Sequence, residues 1–552
     1  MQVPPAALVG QPHRGPSYRD RAAGRCGLAA PSRMAWLHQA PVTVEPPGGL
    51  RRPAQPPRSH AGSPQLSALK LWFFRPKSAI SGPSFQGNGM AACHLTANVD
   101  AGGSRACGHR GRCSDEKVTT LVPPDARPHL PLMESAFDVI IVGGGAAGIG
   151  AARRLAAHGL TVLMLEASSR LGGRAFTQDL GGYPLDFGCE WLHSGERNAW
   201  VAIAEASGFS VDRSEPPWAK AHPGIVQDEQ EAAQRAFRDW NERLPHVAQG
   251  SDHASDALEP EGQWNAYVRA IAGFMSGVAP ERISAADYMA YDTASTGRNW
   301  SVPLGYGTLV AASLPSAVAL RLATPAERID LTADGVAVTT RAGTIRAGIA
   351  ILTVSTAVLA GDAIRLPSGT EAWREAAAAL PLGRNEKVFL EIGRDTAFEP
   401  DSHAYGNLRD ARSAAYSIRP NGWPVIEAFL GGEGARILEE EGPAAGFAHV
   451  STELVALFGS DVASALRPLA ATSWGRMAFI GGAYSCALPG QSYARARLAQ
   501  PFEDRLFFAG EATHPFDFTT AHGAHDSGVR AADEALAALR AKRPAFRHAL
   551  LS

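Results

Sequence analysis

Cysteine is scarce in the part of the chain that carries its motifs. Of 6 cysteines in 552 residues, Cys26, Cys93, Cys107 and Cys113 lie before residue 133, leaving only Cys189 and Cys486 beyond it. Two thiols build no disulfide framework, which suits a reducing compartment and an expected cytoplasmic location. No run of about 18 apolar residues occurs, so no membrane-spanning helix is expected. The first residues lack the apolar stretch of a secretory signal, and Arg51-Arg52 lacks the one a twin-arginine signal needs. Prolines at 4, 5, 12 and 16 would break the amphipathic helix of a transit peptide. Cys107, His109 and Cys113 form no paired C-x2-C knuckle, so no metal site is expected. There is no internal repeat.

Charge and proline are unevenly spread. Residues 1–132 hold 16 Lys/Arg against 6 Asp/Glu and 18 of the 39 prolines, although the whole chain is nearly neutral at −2. Rich in Pro, Arg, Gly and Ser and without a helical or strand period, this extension reads as disordered. A basic arm for nucleic acid or an anionic surface is one use for it. The plainer reading starts the working chain at Met133, because MESAFDVIIVGGG opens just before the first strand. No nucleic-acid partner is then expected.

The informative stretch is FDVIIVGGGAAGIGAARRLAAHGLTVLMLEASSRLGGR, residues 137–174. It reads as an apolar strand, a glycine turn, an alanine-rich helix and a second strand ending on Glu166. Gly143, Gly145 and Gly148 have the GxGxxG spacing, which serves a tight turn, close approach of backbone to a pyrophosphate, and close helix–strand packing. The helix N-terminus offers unpaired N–H groups to phosphate. Glu166, 18 residues after Gly148, is placed to accept ribose hydroxyls. The context is that of a dinucleotide site, and the turn alone does not separate FAD from NAD(P).

Arg170-Leu171-Gly172-Gly173-Arg174 after the acid, and LFFAGE ending on Gly510-Glu511, go beyond what an NAD site needs. Together with the motifs below, in order from about residue 135 to 540, they make the chain resemble the flavin-containing amine oxidase family. The resemblance implies non-covalent FAD, an amine substrate and O2 as partners, and an α/β fold. In that fold a discontinuous Rossmann-like FAD domain (133–195, 295–375 and 471–552) accompanies an α+β substrate domain (196–294, helical, and 376–470). WSVPLGYGTLV reads as a glycine-punctuated return to the sheet, with Pro303, Gly305, Gly307 and Leu309 matching a family segment.

The same resemblance supplies site residues. Lys387 opens the alternating strand KVFLEI, with Val388, Leu390 and Ile392 on the opposite face. In the family such a lysine reaches the flavin N5 through a water. Tyr484 would flank the amine, and Ala483 stands where monoamine oxidases carry a flavin-linked cysteine, which excludes that covalent link. Asp186 to His193 resembles a polyamine oxidase segment lying on the flavin, with Gly188, Cys189, Glu190 and Trp191 as cofactor contacts and His193 lining the substrate channel. Glu190 and His193 would meet substrate ammonium groups. Trp191 replaces the arginine with which L-amino-acid oxidases grip a carboxylate. Ala147, Ala167, Arg174 and Ala326 join the cofactor contacts, as do Thr520 and Ala521 at the start of a buried helix running through Ala524, Gly528, Ala531, Ala535 and Leu539. The inserted Pro515-Phe516-Asp517-Phe518 would send Phe516 or Phe518 into the pocket.

The expected chemistry is oxidation of an amine C–N bond, with imine hydrolysis and hydrogen peroxide as the reduced product of O2. A C–C desaturase or protoporphyrinogen-oxidase-like enzyme and an L-amino-acid oxidase remain as alternatives. An NAD dehydrogenase leaves GGR and FAGE unexplained, and a non-catalytic FAD protein has no residue in its favour. No long helical insertion of the chromatin-demethylase kind interrupts the body. The sequence carries no signal for an oligomeric state.

Overall fold

The continuous apolar run Val139-Ile140-Ile141-Val142 is what a parallel strand covered on both faces requires, and all four residues are buried at the centre of the main sheet. The structure, a computed structural model, describes residues 137–219, 227–393 and 398–549, with side chains as far as 541. The extension 1–132, its expected disorder, the Met133 start and the Cys107–Cys113 cluster lie outside the described residues.

β1 (Phe137–Val142), α1 (Ala146–Ala156) and β2 (Val162–Leu165) form a βαβ unit, with Val139 opposite Val162 in parallel register. A ribbon of β3 (Thr177–Leu180) and β4 (Tyr183–Asp186) follows, and then β5 (Trp191–His193). The helical stretch comprises α2 (Ala199–Ala206), α3 (Gln227–Ala248), α4 (Asn265–Ser276) and α5 (Ala285–Ala294). Trp300–Leu309 does not return to the main sheet as expected. It becomes β6 (Asn299–Ser301), paired with β5, and α6 (Tyr306–Ala312). The reason is Asp186, whose carboxylate accepts the N–H groups of Tyr306 (2.9 Å) and Gly307 (3.2 Å) and so starts a helix there.

β7 (Ala319–Arg321), β8 (Ala326–Leu331), β9 (Val336–Thr340) and β10 (Gly343–Leu352) then build the sheet in the order β7-β2-β1-β10-β9-β8. The first half of β10 is antiparallel to β9, and its second half is parallel to β16 (Leu506–Phe508). The main sheet therefore gathers strands from three separated stretches of chain.

A second sheet holds β11 (Asn385–Ile392), β12 (Ser402–Tyr405), β13 (Ala415–Ile418), β14 (Val425–Gly431) and β15 (Leu466–Ala471), in the antiparallel order β12-β13-β14-β11-β15. Its faces divide as strand alternation requires. Val388, Leu390 and Ile392 pack with Val450 and Leu454 of the helix Pro443–Phe458, while Lys387, Glu427 and Phe429 face a cavity.

The last helix, Ala521–Ala549, lies against α1. Ala531, Ala532 and Ala535 are fully buried. A methyl group at Gly528 would sit 2.0 Å from the Ala147 carbonyl oxygen, so only glycine lets the two backbones approach this closely. Both helices thereby aim their N-termini at the same place.

Candidate active site

A single cavity of about 930 Å³ runs along the carboxyl end of β1 and on to the inner face of the second sheet. Gly143, Gly145, Ala147, Glu166, Ala167, Arg174, Gly188, Cys189, Glu190, Trp191, Ala326, Gly510, Glu511, Thr520 and Ala521 line it, as do His193, Lys387 and Tyr484. Gly148 lies beneath. A methyl there would meet the Gly143 carbonyl oxygen at 2.0 Å, so its part is helix–strand packing.

The turn fits a dinucleotide on two counts. Gly145 caps α1 without a side-chain hydrogen bond, and no acid sits in the first turn, so the helix's N-terminal donors remain for an anion. At Gly145 the backbone is extended, and a methyl would find nothing nearer than the Gly172 carbonyl oxygen at 3.8 Å. The fold itself does not need glycine there, and its absence of a side chain leaves the backbone open to a ligand. Glu166 accepts from the Gly144 N–H at 2.7 Å on Oε2, and from the Ser168 N–H and hydroxyl at 2.8 Å each on Oε1. Oε2 keeps a lone pair for a ribose hydroxyl.

Glu511 ties the middle of the cavity together. It binds Arg174 at 3.0 Å, the Ser485 hydroxyl at 2.8 Å and the Thr519 N–H at 2.9 Å. Burial raises its pKa, but Arg174, Arg495 and these hydrogen bonds outweigh burial and hold the carboxyl below its ordinary range. Arg174 also donates to the carbonyl of Ala483. Thr520 caps the last helix by accepting the Gly523 N–H at 3.0 Å, and its own hydroxyl donates to the Asp517 carbonyl at 2.6 Å. A second helix N-terminus without an acid in its first turn thus brings partial positive charge to the cavity.

At the far end Lys387 is buried, and its ammonium has three partners: the Asp186 carbonyl oxygen at 2.8 Å, Glu190 at 2.9 Å and Glu427 at 2.7 Å. All three of its donors are spent on protein acceptors. Two of these partners are carboxylates and the third is a backbone carbonyl. Burial favours the neutral amine, but Glu190, Glu427 and Asp186 overcome it and raise the lysine's pKa. Burial, and then the charge of Glu190, drives the Glu427 carboxyl well above the usual range, against the pull of Lys387.

Tyr484 donates its hydroxyl to the Phe274 carbonyl of α4, which fixes the ring at the cavity wall. His193 Nδ1 lies 2.8 Å from the Asn299 amide oxygen, and burial lowers its pKa to about 4. Trp191 meets Trp218 edge-on at 4.4 Å, and His403 and Tyr405 continue this aromatic wall. The PFDF insertion departs from expectation. Phe516 is 42 % exposed and lines an outer groove with α3 and α5. Phe518 is buried under the Arg495 guanidinium, 3.5 Å from its ring, and neither residue lines the cavity.

Sequence reading missed Glu427, Asn385, Trp218, His403 and Tyr405. Only Glu427 left a signal, as a lone charge inside the apolar run PVIEAFL. Among the described residues no group of His, Cys, Asp or Glu is arranged to hold a metal, and no helix is long and apolar enough to cross a membrane.

Residues 198–536 match the family model of flavin-containing amine oxidoreductases, and residues 141–206 that of an NAD(P)-binding Rossmann-like domain. Polyamine oxidase 4 of Oryza sativa subsp. japonica is 28% identical over 73% of this chain and 90% of its own length. Lysine-specific histone demethylase 1 homolog 2 of the same plant is 26% identical over 75% of this chain but only 58% of its own length. Among solved structures, wild-type putrescine oxidase bound to putrescine superposes with a TM-score of 0.58 at 18% identity, covering 73% of this chain and 99% of the other.

Proposed function

The chain belongs to the flavin-containing amine oxidoreductase family, with FAD as its cofactor, and on that premise we propose that it oxidises the C–N bond of a small polyamine- or monoamine-like substrate. FAD, when bound, supplies the redox chemistry, taking a hydride from the carbon beside nitrogen and passing electrons to O2 to give hydrogen peroxide. The chain supplies the rest. The N-terminus of α1 with Gly145 and Ala147 would hold the pyrophosphate, Glu166 the ribose, and Arg174, Thr520 and Ala521 the region of the ring. Ala483 offers no atom for a covalent link. In this reading residues 133–195, 295–375 and 471–552 serve the cofactor, and 196–294 with 376–470 serve the substrate.

At the amine end the aromatic walls of Trp191 and Tyr484 exclude water, which favours the neutral amine that oxidation requires. His193, kept neutral by burial, adds no charge to repel an ammonium. Hydrolysis of the imine then releases aldehyde and amine. An amino-acid substrate fits less well. Lys387 is saturated, and a substrate carboxylate there would face Glu190 and Glu427.

The observation that carries this reading is the continuity of one cavity from the glycine turn to Lys387 and Tyr484. Purified protein is expected to be yellow, and its flavin bands to bleach when spermidine, putrescine or a monoamine is added without oxygen. Bands that no amine bleaches would move the reading to C–C oxidation. A colourless, folded protein that binds NAD would end it.

A further inference from the structure

Beside Lys387 and Tyr484 the cavity widens into a part walled by rings rather than by charge. On α4, Ile271, Phe274 and Met275 stand at i, i+3 and i+4 and so share one face of the helix. Phe237 of α3 joins them in an apolar cluster that includes Tyr405 of β12, and all of these line the cavity. Phe237, Phe274 and Met275 are only half-buried by the protein around them. Large apolar side chains of a helix stripe are normally covered. Here they reach the cavity with surface still open.

The wall is continuous with the reaction end. Phe274 meets Phe429 of β14 with ring centroids 5.7 Å apart, and its carbonyl accepts the Tyr484 hydroxyl. On the other side Trp218 stands 4.4 Å from Trp191 and 6.4 Å from His403, which lies 4.8 Å from Tyr405. Charge is sparse. Glu190 and Glu427 are joined to Lys387. Among the described residues that α3, α4 and α5 bring to the cavity, Asp292 is the one acid, and burial lifts its carboxyl above the ordinary range, toward the neutral form. A second ammonium carried into this wall would give up its water for ring faces and one weakly ionised acid. Attraction between a cation and ring faces offsets only part of that loss. An aromatic ring in the same place gains by leaving water.

We propose that the substrate is an amine whose carbon chain ends in an aromatic ring, with the ring seated among Trp218, Phe237, Phe274, Met275 and Tyr405 and the nitrogen toward Tyr484. This rests on the amine reading above and narrows it from a polyamine- or monoamine-like substrate to an arylalkyl monoamine. The wall suits a ring in shape as well as in polarity. Trp218, Phe274 and Tyr405 come from three separate elements and present the faces and edges against which rings pack offset or edge-on. Met275 adds a flexible, polarisable side chain that fills the gaps between flat groups.

Butylamine, putrescine and 4-phenylbutylamine share one carbon chain and differ in what ends it: a hydrogen, a second ammonium or a ring. In anaerobic reduction of the holoenzyme, 4-phenylbutylamine is expected to half-saturate roughly tenfold below butylamine and roughly a hundredfold below putrescine. 4-Phenylbutanol, which keeps the ring and has no amine, should bind roughly tenfold tighter than 1-butanol in calorimetry. Trp218 sits on a short turn outside the helices and sheets, so Trp218→Ala spares the framework. It should shrink the ratio of half-saturation between butylamine and 4-phenylbutylamine about fivefold, and Trp218→Phe should restore most of that ratio. Should Trp218→Ala not fold, Phe237→Ala carries the same expectation. Putrescine or spermidine saturating at or below the concentration of 4-phenylbutylamine overturns the ring while leaving amine oxidation intact, as does equal binding of the two alcohols. A wild type that no amine reduces ends the amine reading, and the ring falls with it.

Discussion

At the glycine-turn end of the cavity the facing groups are backbone: the N-terminal N–H groups of α1 and of the last helix, and glycines whose missing Cβ is the feature that matters. At the Lys387 end they are side chains, charged or aromatic, projected from the inner face of an antiparallel sheet and from the helical stretch. The two ends differ in how they tolerate change. Backbone recognition depends on chain geometry and is lost when any atom is added. Side-chain recognition on a strand face can be altered one residue at a time without moving the sheet. A common cofactor can thus be kept at one end while the amine it serves is changed at the other.

The largest effect should come from breaking the side-chain end. Lys387→Met fills the same space but leaves buried Glu427 and half-buried Glu190 with no cation, and removing one partner from such a cluster costs roughly 3 kcal/mol. The variant should lose about that much stability in urea unfolding. Adding Glu427→Gln should recover part of it, since a neutral amide needs no counter-charge. Equal stability for Lys387→Met and wild type would show that water reaches the cluster, and the contrast between the two ends would blur.

The same contrast explains what the sequence revealed. The turn, α1, β2 and the buried stripe of the last helix were legible because apolar runs and glycine spacing act locally. The two faces of β11 were legible for the same reason, through alternation. Glu427 was visible as a lone acid in an apolar strand, but its closeness to Lys387 follows from the register of β11 with β14, 40 residues apart in sequence, which no local pattern encodes. Trp218, from a short turn, and His403 and Tyr405, from β12, reach the cavity only through tertiary packing. Phe518 misled because an aromatic residue beside the motif suggested the pocket, whereas the Arg495 guanidinium claims its ring.

At the backbone end, Gly145 and Gly148 should separate fold from cofactor. Gly148→Ala puts a methyl 2.0 Å from the Gly143 carbonyl oxygen, so α1 must shift, costing about 1–3 kcal/mol and loosening FAD as well. Gly145→Ala puts its methyl in ordinary contact, 3.8 Å from the Gly172 carbonyl oxygen, on an extended backbone, so its thermal unfolding without FAD should match wild type. Its FAD affinity should fall at least tenfold, about 1.4 kcal/mol. The ratio of flavin to protein absorbance after gel filtration, beside a melt of the apoprotein, reads both. A Gly145→Ala protein that keeps its flavin would mean that the turn does not touch the cofactor.

The smallest effect sharpens the comparison through pH. Burial lowers the pKa of His193 to about 4 in the folded chain, against about 6.5 when unfolded. A folded value below the unfolded one means that unfolding takes up a proton as the solution turns acid. Stability is therefore lost as pH falls from about 6.5 toward 4. His193→Asn can keep a hydrogen bond to Asn299 yet has no such proton to gain. Between pH 7.5 and 5.5, wild type should lose roughly 1 kcal/mol more stability than His193→Asn in paired urea titrations. The backbone N–H groups of the glycine turn keep their protons throughout that window. An equal loss in both proteins would place His193 in contact with water and the amine end outside the dry part of the cavity, so the acid sensitivity would have to come from Asp186 or Glu427 instead.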